Sequence, residues 1–310
     1  MLRPMPAPAI NVRGLRKSYG ALEAVQGIDL EVAEGEVFAL LGPNGAGKTT
    51  TVEILEGHRE RSAGDVSVLG RDPARADRAH RARIGIVLQS TGLNQYLTAA
   101  ETINLYRGFY PNPRPLDEVL NVVGLTEKRD ERVRRLSGGQ QRRLDVGIGL
   151  AGDPDLLFLD EPTTGFDPAA RRGAWEMVKS LASLGKTILL TTHYMDEAQA
   201  LADRVAIISA GRIVAEGPPS TLVGTSERVT LIRFRVPSGS PPLPAAIEAN
   251  ARESAAGVEI RAEEATLALH ELTGWALEHG ITLEALEVTR PSLEDVYLEL
   301  TRGAEQVAST

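Results

Sequence analysis

The stretch Gly42-Pro43-Asn44-Gly45-Ala46-Gly47-Lys48-Thr49 decides how the rest of the chain is read. It satisfies the pattern G-x-x-x-x-G-K-[ST]. It also stands where that pattern has physical meaning, behind a strand-like aliphatic run at 36–41 and ahead of a helix expected over 48–56. Glycines let such a loop bend until successive N–H groups converge, and the helix start adds partial positive charge. The product is a cradle for phosphate oxygens. Lys48 is placed to reach β- and γ-phosphates, a charge-assisted bond worth about 1.5–3 kcal/mol, and the Thr49 hydroxyl is an oxygen donor of the kind Mg²⁺ takes.

Further along, Leu156-Leu157-Phe158-Leu159-Asp160-Glu161 is an apolar run closed by two carboxylates. Alone it reads better as a strand followed by two exposed acids in a turn. With the phosphate loop upstream, Asp160 is expected to hold Mg²⁺ through water and Glu161 to polarise an attacking water as general base. Strand-like stretches at 10–13, 28–32, 66–69 and 84–88 precede a mostly helical region at 97–151. Then strands (156–159, 187–191, 205–209) alternate with helices (168–184, 195–201). Apolar strands alternating with amphipathic helices predict an α/β fold whose mainly parallel sheet is covered on both faces. After Pro218-Pro219 the pattern restarts: strand 229–236, loop 237–244, strand 258–261, helix 267–279, strand 281–289, helix 292–301. This predicts a tail at 1–8, a domain at 9–222 with a helical part at about 90–150, a small α+β domain at 223–302, and a second tail at 303–310.

Composition narrows the classes. The 310 residues carry 34 Lys+Arg against 42 Asp+Glu, a net charge of −8. Of this, −7 falls in residues 226–310, so the excess acidity belongs to the second domain. An acidic chain is a poor candidate for nucleic-acid binding. The absence of cysteine excludes disulfides and thiolate chemistry, and the five histidines lack metal-ligand spacing. No start-proximal apolar stretch suggests a signal peptide and no 18-residue apolar run occurs, so a cytoplasmic protein is expected. The arginines at 132, 134, 135, 142 and 143, amid Asp130, Glu131 and Asp145, read as a solvated or partner-facing surface.

Leu136-Ser137-Gly138-Gly139-Gln140 lies between the two phosphate-site motifs, with Gln89 before it and His193 after the second carboxylate. With these motifs in order, residues 10–217 resemble the ATP-binding subunits of ABC transporters. The resemblance implies a P-loop ATPase with a mainly parallel core sheet, an antiparallel β subdomain and an α-helical subdomain. It implies ATP and Mg²⁺ as cofactors, with ATP held by residues 42–49 and Thr50, and Tyr19 stacked on adenine. Thr49, Gln89 and Asp160 would stand at the metal, Lys48 and His193 at the γ-phosphate, and Glu161 and Gln89 at the attacking water, these four being the catalytic groups. Ser137, Gly138, Gly139 and Gln140 would face the ATP of a second copy of the chain. At Thr164-Gly165-Phe166-Asp167, Phe166 stands where leucine is more usual.

Pro291-Ser292-Leu293-Glu294-Asp295-Val296-Tyr297-Leu298-Glu299-Leu300-Thr301 further resembles the terminal signature of drug and antibiotic exporters of the daunorubicin-resistance type, and residues 191–198 agree. That resemblance implies export powered for a separately encoded membrane permease, which contacts residues 90–150 at the cytoplasmic face. The competing expectation is a soluble relative acting in translation or DNA maintenance. Tandem cassettes or a long coiled-coil insertion would mark those, and the sequence has neither.

Overall fold

The computed structural model describes residues 8–88, 92–224, 230–237, 239–254, 257–289 and 293–297. They fall into two compact units, Met1–Pro219 and Ser220–Thr310. The first contains, in chain order, β1 (Ile10–Tyr19), β2 (Leu22–Val32), β3 (Val37–Leu41), α1 (Lys48–Leu55), β4 (Ala63–Val68), α2 (Arg78–Arg81), β5 (Ile84–Val87), α3 (Ala99–Arg107), α4 (Leu116–Val122), α5 (Gly138–Leu150), β6 (Leu156–Asp160), α6 (Pro168–Ser183), β7 (Thr187–Thr192), α7 (Met195–Leu201), β8 (Arg204–Ser209) and β9 (Arg212–Gly217). The short α8 (Pro219–Gly224) follows at the junction.

The main sheet has the order β5-β6-β7-β3-β8-β9. Its first five strands pair in parallel and β9 closes the edge antiparallel to β8. Every residue of β3 and β7 is buried, which is why these strands read as continuous apolar runs. Register fixes the site. Asp160 lies opposite Thr191 and Leu41 opposite Thr192, so β3, β6 and β7 deliver their following loops side by side. Ligand loops gather at this carboxyl edge of open α/β sheets.

A second, antiparallel sheet has the order β2-β1-β4. It shares one core with α1 and the main sheet, built from Ile10, Leu15, Val25, Phe38, Leu55, Phe158 and Leu189 among others. β1 runs on past residue 13 because Gly14 adopts a φ of 57° and the pairing with β2 shifts register between Val12 and Leu15. The strand passes through this bulge, which a sequence pattern reads as a stop. The region 97–151 consists of α3, α4 and α5 joined by turns. Thr98 and Glu101 form a reciprocal capping box at the start of α3.

The second unit contains β10 (Thr230–Arg235), α9 (Ala245–Glu248), β11 (Ala251–Ser254), β12 (Gly257–Ala262), α10 (Ala265–Glu278) and β13 (Glu284–Thr289), and residues 293–297 are also helical. Its antiparallel sheet has the order β11-β12-β10-β13. Ile232, Phe234, Ile260, Leu272 and Trp275 form a core of its own. Arg233 is paired with Glu259 at 2.8 Å and with Asp295 at 2.5 Å, so part of this unit's acidity is neutralised internally. β9, β11, α2, α8 and α9 are additions to the elements expected from sequence. Of the apolar face expected at the last helix, Leu293 is fully buried, Val296 and Tyr297 are half-buried, and Leu300 lies outside the described residues. Among the described residues no helix is long and apolar enough to cross a membrane.

Candidate functional site

The loop between β3 and α1 is built around positions that tolerate no side chain. A Cβ on Gly42 would meet the Ile208 carbonyl oxygen at 2.3 Å, and one on Gly47 would meet that of Ala24 at 2.6 Å. Gly45 and Gly47 hold φ of 81° and 105°. Pro43, Asn44 and Gly45 are exposed along the loop, Ala46 is buried, Thr49 is exposed and Thr50 half-buried. Lys48 is 5 % exposed, and its Nζ donates to the carbonyls of Gly42 at 2.8 Å and Pro43 at 3.1 Å. Burial lowers its pKa, against the opposing pull of Glu161 and then Asp160.

Glu161 stands at the centre. Its Oε1 lies 3.8 Å from Lys48 Nζ and 3.3 Å from His193 Nδ1. The Thr164 hydroxyl donates to Oε2 at 3.0 Å. Glu161 adopts a φ of 44°, a left-handed conformation unusual for a residue with a side chain. Its N–H is held by both oxygens of Thr191, the hydroxyl at 3.0 Å and the carbonyl at 3.2 Å. The same Thr191 hydroxyl donates to Asp160 Oδ1 at 2.5 Å. One β7 side chain thus fixes both acids that close β6. The His193 ring rests on Tyr194, with centroids 4.1 Å apart, and Arg171 covers the Tyr194 ring at 4.2 Å.

Ser137 caps α5, accepting from the Gln140 N–H at 3.3 Å while the Gln140 side chain accepts from the Ser137 N–H at 2.9 Å. Ser137 and Gly138 are exposed, and Gly139 and Gln140 half-buried. A Cβ on Gly138 would meet nothing within 4 Å, so a ligand can approach that backbone. Tyr19 is 40 % exposed, with Lys17 Nζ 5.1 Å and the Arg59 guanidinium 5.3 Å from its ring centre. Gln89 lies outside the described residues. Phe166 is half-buried, and Asp167 caps α6 through the N–H groups of Ala169 and Ala170.

One expectation is overturned. Arg142 does not join a solvated arginine surface: it is 7 % exposed and turned inward. Its Nε donates to the Pro162 carbonyl at 3.2 Å, Nη2 to the Asp160 carbonyl at 2.8 Å and Nη1 to the Leu88 carbonyl. Three backbone carbonyls outcompete water for a planar guanidinium. No local pattern marks Thr191 as a bridge either. The same holds for Glu197, fully buried on α7, whose Oε1 accepts from the Thr163 hydroxyl at 2.8 Å and Trp175 Nε1 at 3.3 Å. Burial raises its pKa.

A buried lysine held by loop carbonyls, at a helix start and beside a carboxylate, defines a P-loop nucleotide-binding ATPase. The comparisons with known proteins carry the assignment further. Residues 25–164 match the ABC transporter domain, and residues 230–292 match the C-terminal domain of ABC transporter domain-containing protein-like chains. The chain is 37 % identical over 317 residues to daunorubicin resistance ATP-binding protein DrrA2 of Streptomyces coeruleorubidus, covering 96 % of each. It is 41 % identical over 303 residues to Nod factor export ATP-binding protein I of Rhizobium johnstonii, covering 94 % of each. A solved ATP binding subunit of an ABC transporter superposes with a TM-score of 0.62 at 26 % identity, over 70 % of this chain and 92 % of that one. A dimeric ATP-binding cassette bound to ADP and Pi gives 0.60 at 25 %, over 67 % and 98 %. The chain belongs to the ABC transporter family, as an ATP-binding and ATP-hydrolysing member.

Proposed function

We propose that this chain is the ATP-hydrolysing subunit of a bacterial ABC exporter, working as two copies on a separately encoded membrane permease that expels a drug, antibiotic or other hydrophobic compound. The observation that carries the chemistry is the placement of one carboxylate oxygen, Oε1 of Glu161, between Lys48 and His193. The names of the relatives, daunorubicin resistance and Nod factor export, support the direction of transport.

In this reading Lys48 exchanges its two loop carbonyls for β- and γ-phosphate oxygens, with Thr50 and the N–H groups of residues 44–49 completing the cradle that Gly42 and Pro43 lead into. Tyr19 stacks on adenine. Glu161 takes a proton from water as the water oxygen bonds to the γ-phosphorus, and the bond from that phosphorus to the β-phosphate oxygen breaks in line. Thr164, bonded to the other carboxylate oxygen, keeps Oε1 turned toward that water. His193, steadied by Tyr194, meets the γ-phosphate. Mg²⁺ suits the donors present, the exposed Thr49 hydroxyl and the Asp160 carboxylate, together with Gln89. Among the described residues no group of three or more His, Cys, Asp or Glu could hold a metal, so its other ligands would be phosphate and water. When bound it neutralises the charge developing between the phosphates.

Ser137, Gly138, Gly139 and Gln140 present an open helix start to the ATP of the second copy, so closure of two chains completes each site. Loss of γ-phosphate reopens the pair, and the permease follows that cycle from the cytoplasmic face. The test is to purify the tagged chain from detergent-solubilised membranes and assay it. One integral membrane protein should accompany an active ATPase, whereas recovery with ribosomes or DNA overturns the export reading.

A further inference from the structure

Arg142 sits on α5, five residues after the Ser137 cap, and spends all three guanidinium nitrogens on backbone carbonyls of other segments. Two of those carbonyls, Asp160 and Pro162, flank Glu161 on either side. The third belongs to Leu88, the residue just ahead of Gln89. The carboxylate of Glu197 reaches the same turn from α7, through Thr163. A left-handed residue is held only if its surroundings over-determine it, and here both neighbouring carbonyls are tied.

We propose that Arg142 is a positioning residue that fastens the backbone around Glu161, and the chain entering Gln89, to the helix whose start faces the second copy. A movement of α5 on closure then reaches the base through one rigid fork, and the water-activating carboxylate is aligned when Ser137 and its glycines meet nucleotide. A buried cation costs desolvation that a packed apolar side chain would avoid, so the arrangement is poorly explained by stability alone. The planar fork makes it specific: a lysine presents a single point donor and can satisfy one carbonyl at a time.

The inference rests on the ATPase reading above, and two readouts separate their failures. In the full-length chain, Arg142→Gln should lower kcat for ATP at least tenfold while KM and the affinity for a fluorescent non-hydrolysable ATP analogue stay within threefold. Arg142→Lys should recover part of kcat. Hydrogen exchange of amides in 84–88 and 156–163 should quicken in both variants, with residues 230–289 unchanged. A folded Arg142→Gln with kcat within twofold of the parent overturns the proposal, as does unchanged exchange in those two segments. If Arg142→Gln does not fold, Arg142→Lys decides by the same limits. A parent chain without ATPase activity would count against the proposed function instead, and the exchange comparison would still decide this one.

Discussion

Nζ of Lys48, on the first residue of α1, and Oε1 of Glu161, just after β6, lie 3.8 Å apart, close enough for the carboxylate to act on the lysine's charge. The carboxylate opposes the fall in Lys48 pKa that burial imposes, and in the proposed function that ammonium binds phosphate. Removing the ammonium should therefore act on binding before chemistry. Lys48→Ala is expected to weaken ATP affinity on the order of 10- to 100-fold, the value of one charge-assisted bond. Titration calorimetry checks it, and an unchanged Kd removes Lys48 from the cradle.

The loop's shape makes a steric prediction. A methyl group on Gly42 would sit 2.3 Å from the Ile208 carbonyl on β8, so the loop or the strand must shift. Gly42→Ala should cost about 1–3 kcal/mol of stability and weaken nucleotide binding as well. Urea unfolding and the same calorimetry read both effects. By contrast, Gly45→Ala meets no atom and suffers only from its φ of 81°.

Glu56, just after α1, supplies a pH signature. Its side chain is 2 % exposed and lies 3.2 Å from His58, and burial, with Asp160 and Glu53 adding repulsion, raises its pKa to about 8. The folded state thus binds this proton more tightly than the unfolded chain, whose group titrates near 4.5. Its contribution is complete below pH 4.5 and is lost as pH rises toward 8. Glu56→Gln, a neutral mimic of the protonated form, should gain stability over the parent between those limits and gain no more above them. Denaturation curves at pH 5.5, 7 and 8.5 measure the difference; a constant offset contradicts it.

Glu197 joins α7 to the turn after β6 and to α6 by accepting from Thr163 and Trp175. Glu197→Ala leaves the buried Thr163 hydroxyl and the half-buried Trp175 N–H without that partner and should destabilise by about 2–4 kcal/mol. Glu197→Gln retains a carbonyl acceptor and should cost less than half as much. Thermal unfolding compares the pair. Equal losses would mean that packing, and not the hydrogen bonds, fixes this junction.

The phosphate loop, the β6 acids and the parallel core were legible because each is local: a glycine pattern, an apolar run, a strand followed by a helix. Arg142 was not, because its neighbours Arg143 and Asp145 make a charged face in sequence. Its burial depends on carbonyls 54 and 18 residues distant. Thr191 was hidden for the same reason, as its bridge to Asp160 and Glu161 exists only once β6 and β7 pair. β9 carries half-buried residues at a sheet edge, a pattern too weak to stand out after the buried β8. The acidity of the second unit was visible as charge, but the Arg233 pairings that absorb part of it required the fold.

In the proposed cycle Glu161 activates the attacking water while other groups hold the nucleotide. Glu161→Gln is the direct measurement, with turnover and ATP affinity determined on the same preparation. We expect kcat to fall by about 10²–10⁴-fold, with affinity retained and an ATP-dependent dimer accumulating on a sizing column. A variant that hydrolyses ATP at the parent's rate would contradict the assignment.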